Sequence, residues 1–449
     1  MKKQLILALF MLPAFIQGQD ILDEYVGYGL ENNLALKQKY SGYQRSIEAL
    51  REARGLFYPN VSLGARYTVS EGGRVINFPV GQMLNPVYST LNALTSSNSF
   101  TQVENMEIKF LRPTEHETRI RLAQPVFNPD IYYNSKIRKE LTGYEEADFE
   151  QYKRELVAEI KKSYFDVAMA EGILSTLIET RKLLVENVRV NKKLVENDKV
   201  TRDILYRSEA ELSKMDQDIQ RAEKGRRTAT AYFNFLLNKS LGDSVLVNQL
   251  ITFPLISDLT EEYTSIALGN REEIKKLQSY SDIADLRIKM GQSERLPDMF
   301  IAFDYGYQGE KYKFNKDYDY MQASAVLSWK LFSGFQTNAR IKQSKIDKTI
   351  IDTRLEETRK QIELQVLTTL NELLTAEKGI TAAEKRLMNA KEGFRLMNRK
   401  YEEGQASLIE FLDARTNMTQ AELNLIISRF TYLSSYADLE KVTTISKHQ

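Results

Sequence analysis

The stretch IELQVLTTLNELLTAEKGITAAEKRLMNAKEGFRLMNRKY, Ile362 to Tyr401, decides the fold. Its seam runs Ile362, Val366, Thr369, Leu373, Ala376, Ile380, Ala383, Leu387, Ala390, Phe394, Met397 and Tyr401. The steps alternate between four and three residues over eleven intervals, which is the repeat of a coiled coil. Large and small side chains alternate along much of it, so neighbouring helices can approach closely. Moving 206 residues toward the N-terminus gives Leu156, Ile160, Ser163, Val167, Ala170, Leu174, Leu177, Arg181, Leu184, Val188, Asn191 and Val195. Nine of these twelve are apolar. The same seam at a single offset is a repeat.

Proline marks the limits of these helices. The nine prolines stand at 13, 59, 79, 86, 113, 125, 129, 254 and 297, which leaves Asp130–Phe253 and Asp298 onward free of them. A proline costs a helix interior about 3 kcal/mol, so both tracts read as long helices. A helix from about Ile131 to Glu196 extends roughly 100 Å at 1.5 Å per residue. Turns follow each seam at Glu196-Asn197-Asp198 and Glu402-Glu403-Gly404, where Asn and Gly tolerate the left-handed conformation. Helical spacing then resumes, as at Leu412, Thr419, Leu423, Ile426, Phe430 and Leu433. Each repeat therefore holds a long antiparallel hairpin.

Ahead of each long helix the period falls to two. Val61, Leu63, Ala65, Tyr67 and Val69 alternate with polar or small residues, as do Met299, Ile301, Phe303, Tyr305 and Tyr307. A third run extends through Met321, Ala323, Ala325, Leu327, Trp329 and Leu331, and a weaker one holds Ile120 and Leu122 between arginines. Such strands suit a sheet capping a helical bundle, and equally a barrel with lipid outside and water inside. Four strands close no barrel, so the membrane reading requires an oligomer. Pro59 and Pro297 lie 238 residues apart but Phe127 and Phe332 only 205, so the first repeat carries about 33 extra residues. They fall within Glu71–Thr118, rich in Asn, Ser, Thr, Gly and Pro, which reads as a long surface loop.

The chain opens with Met1-Lys2-Lys3, an apolar run from Leu5 to Ile16, and Gln17-Gly18-Gln19-Asp20, the pattern of a secretory signal peptide over residues 1–19. The run is too short for a membrane-spanning helix, and nothing later approaches about 18 apolar residues. Membrane insertion would therefore be by β-barrel. Cysteine is absent, which excludes disulfides and a lipid-anchoring thiol, and His116 and His448 are the only histidines. Without Lys2 and Lys3 the 60 basic residues face 61 acidic ones, so no basic excess awaits nucleic acid. No phosphate loop, nucleophile elbow or metal-ligand cluster is present. No catalytic, cofactor or metal residue is assigned.

These features resemble the TolC-like outer-membrane efflux protein family (outer membrane factors) over essentially the whole mature chain. The resemblance rests on Gly29–Lys37 and Ala267–Ile274, on Phe57-Tyr58-Pro59-Asn60 and Arg295-Leu296-Pro297-Asp298, and on Leu122–Phe127 and Leu327–Gly334. It is greatest at the second tip, Lys400–Gly404 through Leu408–Ala414. The resemblance implies an α+β membrane protein, with a coiled-coil helical barrel and a β-barrel of four strands per protomer. A homotrimer would complete twelve strands, and the helices would form a tunnel across the periplasm. Such a protein is a passive exit duct of a tripartite efflux pump or type I secretion system. It joins a periplasmic adaptor and an inner-membrane transporter of RND or ABC type, and it is no enzyme. The domains expected are a first repeat, 20–248, with its loop at about 71–118, and a second repeat, 249–449.

The resemblance also assigns residues. By position after Gly404, Glu410 and Asp413 match ring-forming acids at a periplasmic gate; three apart, they share a helix face. Around a threefold axis they would attract cations and raise some carboxyl pKa values by repulsion. A solvated acidic face is the alternative. Tyr401 matches a gate-locking tyrosine, though core packing fits it too, and Asp203 is its candidate acceptor. Asn197, Asp198, Glu403 and Gly404 form the tip turns that would meet the adaptor, with Asn197 where the family often has glycine. Arg181 and Asn191 interrupt the first seam and read as register-setting residues or a wet patch. A periplasmic or surface coiled-coil scaffold without a pore is the competing function. The exported substrate is not legible in these residues.

Overall fold

The structure is a computed structural model that describes residues 18–248, 254 and 259–445. Residues 1–17 of the expected signal peptide, His448 and the expected boundary at 248/249 fall outside, or at the limit of, the described residues. The chain runs α1 (Gly18–Asn32), α2 (Leu34–Gly55), β1 (Asn60–Val69), β2 (Val75–Phe78), α3 (Val80–Thr95), β3 (Met106–Lys109), β4 (Thr114–Phe127), α4 (Pro129–Glu196) and α5 (Arg202–Leu236). It continues with α6 (Thr260–Asn270), α7 (Glu272–Ser293), β5 (Asp298–Gly309), β6 (Asp319–Ser328), α8 (Gln336–Glu402) and α9 (Leu408–Thr443). Except for β2, α3 and β3, the second series repeats the order of the first. The seam helices α4 and α8 hold 68 and 67 residues.

Two compact units result, each drawn from both halves of the chain. The helical unit comprises described residues up to Glu48, Lys139–Asp285 and Ile346 onward. Its core gathers seam residues Leu156, Ile160, Val167 and Leu373 with Val26, Phe233, Tyr432 and Leu433, all buried. Asn33 separates α1 from α2: its carbonyl oxygen accepts from the Leu36 N–H at 2.9 Å, while its amide donates to the Leu236 carbonyl at 2.8 Å. A side-chain cap thus joins the opening helices to the end of α5.

In the sheet unit, Ala49–Arg138 and Leu286–Lys345, four antiparallel strands lie in the order β1-β4-β5-β6. The register sets Leu63 against Ile120, Ile120 against Tyr305, and Tyr305 against Met321. Val61, Leu122, Phe303 and Ala323 form the next row, so these two rows make one face of the sheet apolar. That face is open, with Leu63 73% and Met321 71% exposed. The opposite face is polar and self-paired. Arg121 grips Asp304 through two bonds of 2.7 and 2.8 Å, and Glu117 meets Arg66, Arg119 and the Tyr320 hydroxyl. A sheet packed on a water-soluble core would bury its apolar face; this one presents it outward, the arrangement of a partner- or lipid-facing surface. Among the described residues, strands β1 and β6 have no neighbour on their outer edges.

Three expectations change. The weak run at Ile120 and Leu122 lies within β4, the longest strand at 14 residues, where Arg121 is paired across the sheet with Asp304 and Arg119 with Glu117 of its own strand. The run through Trp329 and Leu331 stops at Ser328, and the Trp329 indole N–H instead donates to the Arg295 carbonyl at 2.9 Å. The segment 71–118 is not an unstructured loop. Strands β2 and β3 pair, α3 lies between them in sequence, and β4 has begun by Thr114. No described helix is long and apolar enough to cross a membrane.

Candidate gate at the helical hairpin tips

Both hairpins turn through five residues, 197–201 and 403–407, by the same hydrogen-bond pattern. At the second tip the Gln405 N–H reaches the Lys400 carbonyl at 2.8 Å and the Gly404 N–H reaches that of Tyr401 at 3.0 Å. At the first, Lys199 reaches Leu194 at 2.8 Å and Asp198 reaches Val195 at 3.0 Å. These are Schellman closures, with Gly404 at φ 72° and Asp198 at φ 51°. The left-handed residue at the first tip is therefore Asp198, not Asn197. The 206-residue offset already pairs 198 with 404; Asn197 is the last right-handed residue, its amide bonded to the Lys193 carbonyl at 2.7 Å.

Glu410 is occupied. Its carboxylate accepts from the Ser407 N–H and hydroxyl, each at 2.8 Å, and the Ser407 hydroxyl oxygen accepts from the Glu410 N–H at 3.3 Å. This capping box starts α9. The Ser407 backbone and hydroxyl bonds hold the Glu410 carboxyl below the usual carboxylate range, opposite to the rise that crowding around a bore would bring. Asp413 is exposed and accepts from the Asn417 amide at 3.3 Å. The two acids share the expected helix face, but only Asp413 is outside the cap.

Tyr401 is half-buried and joins two hairpins. Its ring stacks on Phe411 at 4.7 Å, and its hydroxyl donates to Asn191 Oδ1 at 2.9 Å. Asn191 is fully buried, and its amide donates to Ser208 Oγ at 2.7 Å and Asn187 Oδ1 at 3.0 Å. The acceptor of Tyr401 is thus Asn191 of α4, and Asp203 is not brought to it. Asp203 sits exposed in the first turn of α5, where a carboxylate is stabilised by water and the helix dipole. The polar break at Asn191 in an otherwise apolar seam was the signal in the sequence; its partner was not legible there. Arg181, the other break, is exposed and pairs with Asp216.

Sequence reasoning missed Arg415. It is 4% exposed, its guanidinium lies 5.4 Å from the Phe394 ring centroid, and its Nε and Nη1 have no hydrogen-bond partner. Burial lowers its pKa from the ordinary arginine value, and Glu422 opposes that. Removing a buried, under-paired charge in favour of an apolar group is often neutral or stabilising. Arg415→Met is expected to keep or raise the melting temperature; a fall equivalent to more than about 2 kcal/mol in thermal denaturation would overturn this reading.

Comparison with known proteins follows this geometry closely. The family profile "Outer membrane efflux protein" matches residues 264–444, a span from α6 to the end of α9. Outer membrane protein TolC of Salmonella enteritidis is 19% identical over 473 residues, covering 97% of this chain and 84% of TolC. The chain is similar to outer membrane efflux proteins, through the profile match over residues 264–444 and through TolC along its length. The fold agrees with those of solved outer membrane channels. The Campylobacter jejuni CmeC outer membrane channel superposes with a TM-score of 0.77 at 16% identity, covering 97% of this chain and 90% of CmeC. The outer membrane protein VceC of Vibrio cholerae gives 0.75 at 13%, covering 94% and 95%.

Proposed function

We propose that this protein is a trimeric outer-membrane exit duct, passive in mechanism. The observation that carries the reading is the sheet: an apolar face turned outward, an ion-paired polar face, and two free edges on a chain similar to outer membrane efflux proteins. Three copies joined β6 to β1 would make a twelve-strand barrel with lipid on the apolar side and water on the polar one. The long hairpins would enclose the periplasmic part of the tunnel. Their tips, at Asn197, Asp198, Glu403 and Gly404, would receive a periplasmic adaptor linked to an RND or ABC transporter of the inner membrane, in a tripartite efflux or type I secretion assembly.

Within that duct the tips form the gate. Asp413 supplies the principal acidic ring and the capped Glu410 a secondary one, while the Tyr401–Asn191 bond holds the second tip against the first hairpin. Asp203 lines the first tip without latching it. Single-channel recording of detergent-extracted protein in planar bilayers tests both parts. Stepwise, cation-preferring current that loses its preference in Asp413→Ala supports duct and ring. An unchanged preference removes the ring and leaves the duct. No current, with extraction that needs no detergent, overturns the duct in favour of a scaffold.

A further inference from the structure

Helix α3 is amphipathic with its polar face packed inward. Asn85 makes a two-way pair with the backbone of Val103, its amide donating to the carbonyl at 3.0 Å and its oxygen accepting from the N–H at 2.8 Å. One turn pair later Asn92 does the same with Phe100, at 2.8 and 3.1 Å. Asn105 returns the contact by accepting the Gly81 N–H at 3.1 Å. Gly81 is buried at this crossing, where a Cβ would lie 2.2 Å from the Val103 carbonyl oxygen, so the helix lies directly on the returning segment ahead of β3. The outer face carries Met83, Val87 and Leu94, spaced four and seven apart and therefore aligned, at 66%, 52% and 78% exposure. A helix held this firmly by asparagines and turning an aliphatic stripe outward is built to be covered.

The charge pattern and the connectivity identify the cover. No Asp, Glu, Lys or Arg occurs from Val75 to Val103, in a chain that is 27% charged. Helices that rest on a membrane surface carry lysine or arginine on the polar side and aromatics at the boundary. α3 has no charge, and its one aromatic, Tyr88, is turned inward against Phe100 at 5.9 Å. A surface that meets copies of itself around a rotation axis benefits from carrying no charge, because like charges would otherwise be brought together. The chain enters this excursion after Val69, the last residue of β1, a free edge of the sheet.

We infer that the Met83–Val87–Leu94 face packs against the same excursion of neighbouring copies, forming an apolar collar at the rim of the assembled sheet. This inference rests on the trimer proposed above. The collar is continuous with the β1–β6 junction that completes the barrel, so each copy delivers its excursion beside the next.

The absence of cysteine makes the test direct, since any introduced thiol is unique. Val87→Cys in isolated membranes is treated with a short bis-maleimide and run on a denaturing gel. Ser89→Cys, exposed on the same helix but off the stripe, is the comparison. A double variant with Leu63→Cys on β1 and Ala323→Cys on β6 reports the sheet junction separately. Expected are covalent dimers from Val87→Cys, whose one thiol per copy joins only one neighbour, and dimers and trimers from the two-thiol junction variant, with Ser89→Cys remaining largely monomeric. Junction cross-links without any at Val87 would overturn the collar and leave the trimer standing. Quenching of a dye at Val87→Cys by brominated lipid would overturn it in favour of a membrane contact. Monomers throughout would sink the trimer and the collar together.

Discussion

Arg154→Ala is expected to destabilise the helical unit by about 3–5 kcal/mol, the cost of leaving buried charge without its partner. Arg154, on α4, is 6% exposed. Its Nη2 lies 2.7 Å from Glu272 and 3.3 Å from Glu273 at the start of α7. Arg271, also buried, pairs with Glu273 at 2.6 Å and donates to Gln365 of α8 at 2.8 Å. Four charged groups thus join three helices that lie far apart in sequence. Burial by itself would raise the Glu273 carboxyl, but the Arg271 hydrogen bond and charge, with Arg154 behind them, hold it down at about 2. That folded value is below the ordinary one of 4.5, so the stabilisation is complete above pH 4.5 and is lost as pH falls toward 2. Thermal unfolding between pH 7 and 3 checks both statements. Wild type should lose stability across the acid range, and Arg154→Ala should start lower and lose less. A variant that melts with wild type at neutral pH would refute the account.

Asn191→Leu is the second large effect. The substitution keeps the volume near constant but strips Tyr401 Oη of its acceptor and Ser208 of a donor. Tyr401 is half-buried and Ser208 keeps its bond to the Ile204 carbonyl, so the cost is that of a lost hydrogen bond, about 0.5–1.5 kcal/mol. The loss falls on the arrangement in which α4, α5 and α8 meet at this amide, the closed state in the gate proposed above. The expected result in planar bilayers is a higher open probability or conductance, with Tyr401→Phe giving a smaller change in the same direction. The double variant should add little to Asn191→Leu, since both remove one bond. Asp203→Asn should leave the gate unchanged. Opening by Asp203→Asn and none by Asn191→Leu would return the latch to the first-tip carboxylate.

Much of the framework was legible in the residues because it is written at short range. A 3.5-residue seam marks a helix that must pack lengthwise, and a period of two marks a strand with unlike faces. The 206-residue offset carried this reading to the tips, where it pairs Asp198 with Gly404 in the same closure. Choosing Asn197 for the left-handed position weighed residue preference above that register. Strand ends were harder, because Trp329 fits the alternation yet finds its partner in a turn. Segment 71–118 was obscured by its composition, since asparagines that look like loop residues are the ones that bind α3 to Val103 and Phe100.

By itself the sequence determined the hairpins, the strands with one apolar face, the duplicated order and the likeness to outer membrane efflux proteins. These follow from side-chain periodicity, which acts within a few turns of chain. Only the tertiary structure decided that Tyr401 bonds Asn191, that Arg154 meets Glu272 and Glu273, that Glu410 caps its own helix, and that α3 turns its aliphatic stripe outward. Apart from the cap, whose geometry depends on the local backbone path, these contacts span 8 to 210 residues of chain. They depend on how helices and strands are set against one another, and periodicity along one element carries no record of that.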